Sequence, residues 1–263
     1  LTATLRRAAT VTSLDRIAAV IAAPADQRRQ GTLKELGIRT LFVQPKHQGT
    51  AYEVLLALLL LESRISPATA VLFLPADHLV NDEEVMTNSL MTMAEWIADE
   101  PGPVYLLGAV PQGPHDELGY IVPWHDAMLM PIGVFEFVER PDVHRARKLI
   151  NAGGLWNTFI FGGSAASLLK LFRPRFDAAI ADLRAALQSD HVERDLLRSY
   201  DRLTSVDFSQ DVLVKQTDNL RVLRLPRCGW WPLKSPTLKP PLPSASASRL
   251  ETHGSAQEQG LLE

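Results

Sequence analysis

Ala70-Val-Leu-Phe-Leu-Pro-Ala-Asp-His78 is the stretch whose reading decides the fold. Its first five residues are apolar without interruption, as in a parallel strand buried on both faces. Pro75 ends the run, because proline cannot donate to a sheet ladder. The carboxyl end of that strand carries Asp77 and His78. In open α/β sheets this edge is where ligands bind. A carboxylate there suits a hard cation such as magnesium, which takes oxygen ligands and keeps several waters. Position alone also allows a plainer reading, in which Asp77 caps the following turn and His78 is a surface residue.

On both sides of this stretch, strand-like and helix-like runs alternate. Upstream, Ile17–Ala22 and Thr40–Val43 read as strands. A polar amphipathic helix, 26–36, lies between them and stops at Gly37. A second helix runs from about Ala51 to Ser63, capped by Thr50. Downstream, 82–98 places Val85, Met86, Leu90, Met93 and Ile97 at near-helical spacing, and 104–110 is a further strand. The pattern argues for a parallel or mixed sheet with helices on both faces. Beyond it, 120–122, 133–139 and 158–161 are β-like, helices are expected at 143–151, 164–172, 176–188 and 191–200, and 220–225 is a last strand. From Pro232 to Pro243 five of twelve residues are proline, followed by Ser-Ala-Ser-Ala-Ser. The segment 234–263 reads as mostly disordered, giving an expected domain over 1–231 and a tail over 232–263.

Composition narrows the function classes. The 263 residues suffice for one large α/β domain. Twenty-seven basic against thirty acidic residues leave a net charge of −3, too near neutral for a nucleic-acid binder driven by bulk charge. The longest apolar run, Val54–Leu61, is far short of the about 20 residues of a membrane span. With no export signal and a single cysteine, Cys228, no disulfide framework or Cys-based zinc site is available, and the cytoplasm is the expected compartment.

Other candidate positions lie at strand ends. Gln44-Pro-Lys-His-Gln-Gly49-Thr50-Ala51 joins a strand to a helix start. Glycine permits close backbone approach, and the helix amino end offers unpaired N–H groups to a base or phosphate. An ordinary strand-to-helix connection reads the same way. Glu139, followed by Arg140-Pro141, and Asn157, after Trp156, could grip sugar hydroxyls or serve as turn residues. No histidine pair has metal-binding spacing, and no G-x-S-x-G, Walker loop or G-x-G-x-x-G is found.

Taken in order, these segments resemble the sugar-1-phosphate nucleotidyltransferases, and within them the bacterial mannose-1-phosphate guanylyltransferase-like proteins. The resemblance runs from near residue 1 to about Trp230. It is carried by Gln44-Pro45 with Gly49-Thr50-Ala51, Phe73–His78, Glu117–Pro123, Phe137–Pro141, Leu155–Phe161, Phe208–Leu213 and Cys228-Gly-Trp230. It implies a Rossmann-like, mixed and mostly parallel sheet flanked by helices, of the nucleotide-diphospho-sugar transferase type. It also implies a reaction between a nucleoside triphosphate (GTP) and a sugar 1-phosphate (mannose 1-phosphate), with Mg2+ as cofactor, and a possible homodimer with no nucleic-acid or membrane partner. Gln44, Gly49 and Thr50 would face the nucleotide, and Asp77 would be the catalytic metal ligand. Gly119, Glu139 and Asn157 would hold the sugar. Arg140 would contact phosphate, in place of the family's usual lysine.

Two departures stand against that pattern. The family's opening glycine-rich loop is not found, and residue 1 is Leu, so an N-terminally truncated chain is expected. The family's Gly-Trp-Ser-Asp, whose Asp is a second metal ligand, is here Gly229-Trp-Trp-Pro232. A shifted reading frame or an alternative terminus after Trp230 would account for it. The competing expectations are a sugar-nucleotide-binding homologue without turnover, an inactive fragment, and an enzyme for glucose 1-phosphate with another nucleoside triphosphate.

Overall fold

The computed structural model describes residues 1–22, 27–124 and 131–233. In chain order the elements begin α1 (Thr2–Val11), β1 (Ala18–Ala22), α2 (Gln27–Glu35), β2 (Thr40–Gln44), α3 (Thr50–Leu61), β3 (Ala70–Phe73), β4 (His78–Leu79) and α4 (Glu83–Asp99). They continue β5 (Val104–Ala109), β6 (Tyr120–Pro123), β7 (Ile132–Val138), α5 (Val143–Asn151), β8 (Leu155–Ser164) and α6 (Ala165–Lys170). The last are α7 (Asp177–Leu187), α8 (Val192–Arg202), α9 (Phe208–Asp211), β9 (Leu220–Leu225) and β10 (Trp231–Pro232). The disordered tail expected over 234–263 lies outside the described residues.

Local chemistry starts the helices. Asp82 accepts a hydrogen bond from Val85 N at 3.1 Å and opens α4; Asp142 accepts from Arg145 N at 2.7 Å and opens α5. Each satisfies a backbone donor that the first helical turn leaves free. Helix α3 is apolar all round and is buried over most of its length, from Ala51 to Leu59. A helix of that kind belongs inside a protein rather than on its surface.

The main sheet has six strands in the order β3-β8-β5-β9-β7-β6, and β6 also pairs with β8. Alternate residues of its strands face two different cores. Val104 and Leu106, with Leu220 and Val222, pack with α3, α6, α7 and α8. Tyr105 and Leu107, with Leu223 and Leu225, pack with α4 and α5. Burial on both faces is why β5 reads as a continuous apolar run; β3, read as a buried parallel strand, is instead a partly exposed strand at the end of the sheet order, antiparallel to β8. A smaller core of Ile17, Leu33 and Ile38 holds β1 and β2 together.

The mixed α/β architecture matches the expectation, but the balance of pairings does not. Among the described residues only β1–β2 and β5–β9 pair in parallel. The pairs β3–β8, β5–β8, β6–β7, β6–β8 and β7–β9 are antiparallel. β8 accounts for three of the five: it runs for ten residues instead of the four expected and counter to β3, β5 and β6, while β7 runs counter to its neighbours β6 and β9. Four elements went unread in the sequence: α1, α9, β4 and β10. Helix α1 carries only two large apolar residues, Leu5 and Val11, which pack on the cores, and is also held by long-range polar bonds: Leu1 N to Ala76 O at 2.8 Å, Thr4 Oγ1 to Pro75 O at 3.1 Å, and a paired Arg7–Glu83 contact at 2.8 Å. Strands β4 and β10 are two residues each and exist through pairing with one another. No helix among the described residues is long and apolar enough to cross a membrane.

Candidate active site

Strand directions bring the candidate residues to one edge of the sheet. β3, β5 and β9 run the same way, so the segments after them (Asp77, Pro111-Gln112 and Arg227) emerge together. β8 runs the opposite way and begins at that edge. β3 ends at Phe73, registered against Phe161, and the chain turns at 76–77 before β4. Between the carboxyl ends of parallel β5 and β9 opens a cavity of about 550 Å³, walled by Trp156, Trp230, Gln112 and Arg227. Its size is that of a ligand pocket. Gln112 and Arg227 gave no signal in the sequence, because it is the parallel β5–β9 pairing that sets them side by side.

Gly119, Glu139 and Asn157 form one cluster. Asn157 N donates to Gly119 O at 2.8 Å. A Cβ on Gly119 would collide with Glu139 Oε2 and lie 3.3 Å from the Asn157 Cβ. Glycine at 119 therefore makes room for the carboxylate. The Glu139 side chain is 10% exposed, and its Oε2 is buried with no hydrogen-bond partner among the described residues. Burial, reinforced by the negative charge of Asp207 and only partly offset by Arg140, pushes its pKa up to about 7. A buried acid of this kind with unspent acceptor capacity marks a functional position.

Backbone irregularities lie beside both polar side chains. The β5–β8 register jumps between Leu106↔Phe161 and Gly108↔Asn157, so β8 bulges over 158–160. Phe159 sits there at φ 58° and donates its N–H to Asn157 Oδ1 at 3.0 Å. Thr158 Oγ1 donates to Leu107 O at 2.6 Å and accepts from Ile160 N, filling the broken ladder. Bulges re-aim side chains beside active sites, and this one sets Asn157. Arg140, next to Glu139, also has positive φ, 47°. Left-handed backbone costs a non-glycine residue about 1–2 kcal/mol; such strain clusters at functional sites. The Arg140 guanidinium lies 3.6 Å from Glu139 Oε1 and is largely in solvent, open to an anion.

On the other flank, the 48–51 loop is bound to the segment before α9. Val206 N donates to Gln48 O at 3.0 Å, and Ala51 N donates to Val206 O at 3.1 Å. Gly49 has φ +87°, and a Cβ there would run into the Val206 carbonyl. Thr50 does not cap its own helix: no side-chain bond closes α3, and Thr50 Oγ1 accepts from Phe208 N at 2.8 Å instead. Gln44, at the end of β2, is wholly buried, with its amide beside the Tyr200 hydroxyl.

Asp77 is held by backbone. Leu233 N donates to Asp77 O at 2.8 Å, and β10 sets Pro232 against His78. His78 Nδ1 accepts from Trp230 Nε1 at 3.2 Å. Position 232, where the resemblance would have a second metal-binding Asp, thus lies beside Asp77 and carries proline. Among the described residues no three His, Cys, Asp or Glu side chains come together as a metal cage.

The chain is 32% identical over 176 residues to the alginate biosynthesis protein AlgA of Pseudomonas putida, which covers 65% of this chain and 35% of that protein. It is 34% identical over 157 residues to a mannose-1-phosphate guanylyltransferase of Klebsiella pneumoniae, covering 57% of this chain and 32% of the relative. The chain thus spans about a third of the length of these curated relatives. A crystal structure of mannose-1-phosphate geranyltransferase from Thermus thermophilus superposes with a TM-score of 0.73 at 28% identity, covering 87% of this chain and 64% of the other. The family profile described as nucleotidyl transferase matches residues 4–197. With that match spanning α1 to α8 and the same fold in a solved relative, the chain belongs to the nucleotidyl transferase family.

Proposed function

We propose that this chain carries the nucleotidyl-transfer site of a sugar-1-phosphate nucleotidyltransferase, with GTP and mannose 1-phosphate as substrates and GDP-mannose and pyrophosphate as products. The observation that carries this reading is the Gly119–Glu139–Asn157 cluster: a buried acid and an amide held over a glycine, at the sheet edge where Asp77 emerges. The name of the Klebsiella pneumoniae relative, at 34% identity, points to the same base and sugar.

In this reading the loop at Gly49 and Thr50 meets the nucleotide, with Gln44 beneath it. Glu139 and Asn157 hold sugar hydroxyls, and the Gly119 backbone lies against the sugar. Arg140 neutralises phosphate. An oxygen of the sugar phosphate attacks the α-phosphorus in line; a P–O bond forms there as the bond to the β-phosphate bridge breaks, and pyrophosphate carries away the electron pair. The attacking oxygen is already anionic, so these residues need supply no strong base. They position and neutralise. Asp77 is the residue that would hold magnesium, a hard cation suited to a carboxylate oxygen, and the ion would supply charge neutralisation on the phosphates. The test is release of pyrophosphate from GTP and mannose 1-phosphate in the presence of Mg2+, beside a panel of other nucleoside triphosphates with glucose 1-phosphate. No release from any pair would overturn the reading.

A second reading, sugar-nucleotide binding without turnover, is favoured by one observation: Pro232 stands across from His78 and beside Asp77. The proline side chain has no ligating atom. If the missing carboxylate is what limits turnover, Pro232→Asp should raise pyrophosphate release at least about 100-fold, the lower end of the 10²–10³ range of a single group aimed at transition-state charge. An unchanged rate would show that this carboxylate is not the limiting feature.

A further inference from the structure

The two flanks of the site are joined by four consecutive residues, Val206 to Ser209. Val206 exchanges backbone hydrogen bonds with Gln48 and Ala51 at 3.0 and 3.1 Å. Phe208 N donates to Thr50 Oγ1 at 2.8 Å. One residue further on, Ser209 Oγ accepts from Asn157 Nδ2 at 3.3 Å in a buried contact. Asp207 stiffens the strap between them: its carboxylate accepts from Gln210 N at 2.9 Å, and its own N–H donates to Asp211 Oδ2 at 3.0 Å. Phe208 is wholly buried, stacked on Phe161 at 4.8 Å between ring centroids.

This geometry directs both side chains. Thr50 Oγ1 already accepts a bond, so its hydroxyl proton is aimed elsewhere. Asn157 Oδ1 is engaged by Phe159 N at 3.0 Å and one Nδ2 proton by Ser209, which fixes the amide's orientation and leaves its second N–H to a ligand. Movement of Thr50 toward a nucleotide therefore pulls on the peptide next to Ser209, and hence on Asn157.

We propose that Ser209 is a positioning residue that holds Asn157 in register with Thr50 through the Val206–Ser209 strap, so that nucleotide bound on one flank tightens sugar phosphate bound on the other. The inference rests on the substrate assignment proposed above. Coupling of this kind is reciprocal and is commonly 5–150-fold in affinity.

Two measurements on the full chain test it. The first is calorimetric titration of mannose 1-phosphate with and without a non-hydrolysable GTP analogue. The wild type is expected to bind the sugar phosphate about 10-fold more tightly with the analogue present. Ser209→Ala should bring that ratio toward 1 while leaving affinity for the analogue alone within about twofold, and Ser209→Thr should restore it. A Ser209→Ala variant with the wild-type ratio would overturn the proposal, as would a wild-type ratio of 1. The second needs no ligand: a urea-unfolding cycle of Thr50→Val, Ser209→Ala and the double variant. Residues sharing one network are expected to depart from additivity by at least about 3-fold in the unfolding equilibrium constant. If the wild type binds neither ligand, the substrate assignment fails and this cycle alone judges the strap: additive variants overturn it, and non-additive ones support it.

Discussion

Gly49→Ala is expected to lower the stability of the fold by about 3 kcal/mol, a fall of roughly 10 °C in the unfolding midpoint for a chain of this size. Two costs combine. At φ +87° an alanine pays for left-handed backbone, about 1–2 kcal/mol. Its Cβ would also run into the carbonyl of Val206, which cannot retreat without losing its bond from Ala51 N. The loop must then part from the 206–208 segment, and Phe208 N loses Thr50 Oγ1. Gly102→Ala is the control, since a Cβ there meets nothing within 4 Å. Thermal unfolding of the two variants side by side checks the prediction; equal midpoints would show that the 48–51 loop is not clamped.

Glu139→Gln is expected to gain stability and lose function, each over a defined pH range. The folded-state pKa of Glu139 is raised from an ordinary 4.5 to about 7, first by burial and then by Asp207. Below pH 4.5 the carboxyl is protonated folded or unfolded, and no penalty applies. Between 4.5 and 7 only the folded chain keeps the proton, so stability falls as pH rises. Above 7 the full penalty is present, up to roughly 3 kcal/mol from the size of the shift. Glutamine does not titrate. The variant should therefore match or exceed the wild type in urea unfolding at pH 8, with the gap closing toward pH 5. Activity should run the other way. If the ionised carboxylate accepts sugar hydroxyls, wild-type kcat/KM rises with pH through about 7. The variant should be flat, and about 10–100-fold lower at pH 8, the value of a hydrogen bond to a charged group. A variant that keeps the wild-type pH profile would remove Glu139 from sugar recognition.

These two positions show how much could be read from the sequence. Glu139 is visible in the sequence as a polar residue closing one β-like run and Asn157 as one preceding another, and Gly119 lies within a motif. That Gly119 exists to admit the Glu139 carboxylate appears only when β6 and β7 pair and bring residues 119 and 139 together. The Asn157 orientation depends on a bulge that neither composition nor period-2 alternation could signal, because it arises from a register mismatch with β5. Thr50 looked like a helix cap; tertiary contact gave its hydroxyl to Phe208 instead. Ser209 lay within the Phe208–Leu213 motif but with no role readable from it, and Arg227 carried no local signal, since their neighbours lie far away along the chain.

The sequence alone determined the mixed α/β class, the order of most strands and helices, and the chemical types gathered at strand ends. These follow from local rules: apolar periodicity, capping side chains and glycine or proline at breaks. The tertiary structure decided which strands run antiparallel, where the cavity opens, and how raised the pKa of Glu139 becomes. Those properties belong to residues distant in the chain, and their energies exist only once the backbone has brought them within a few ångströms and excluded water.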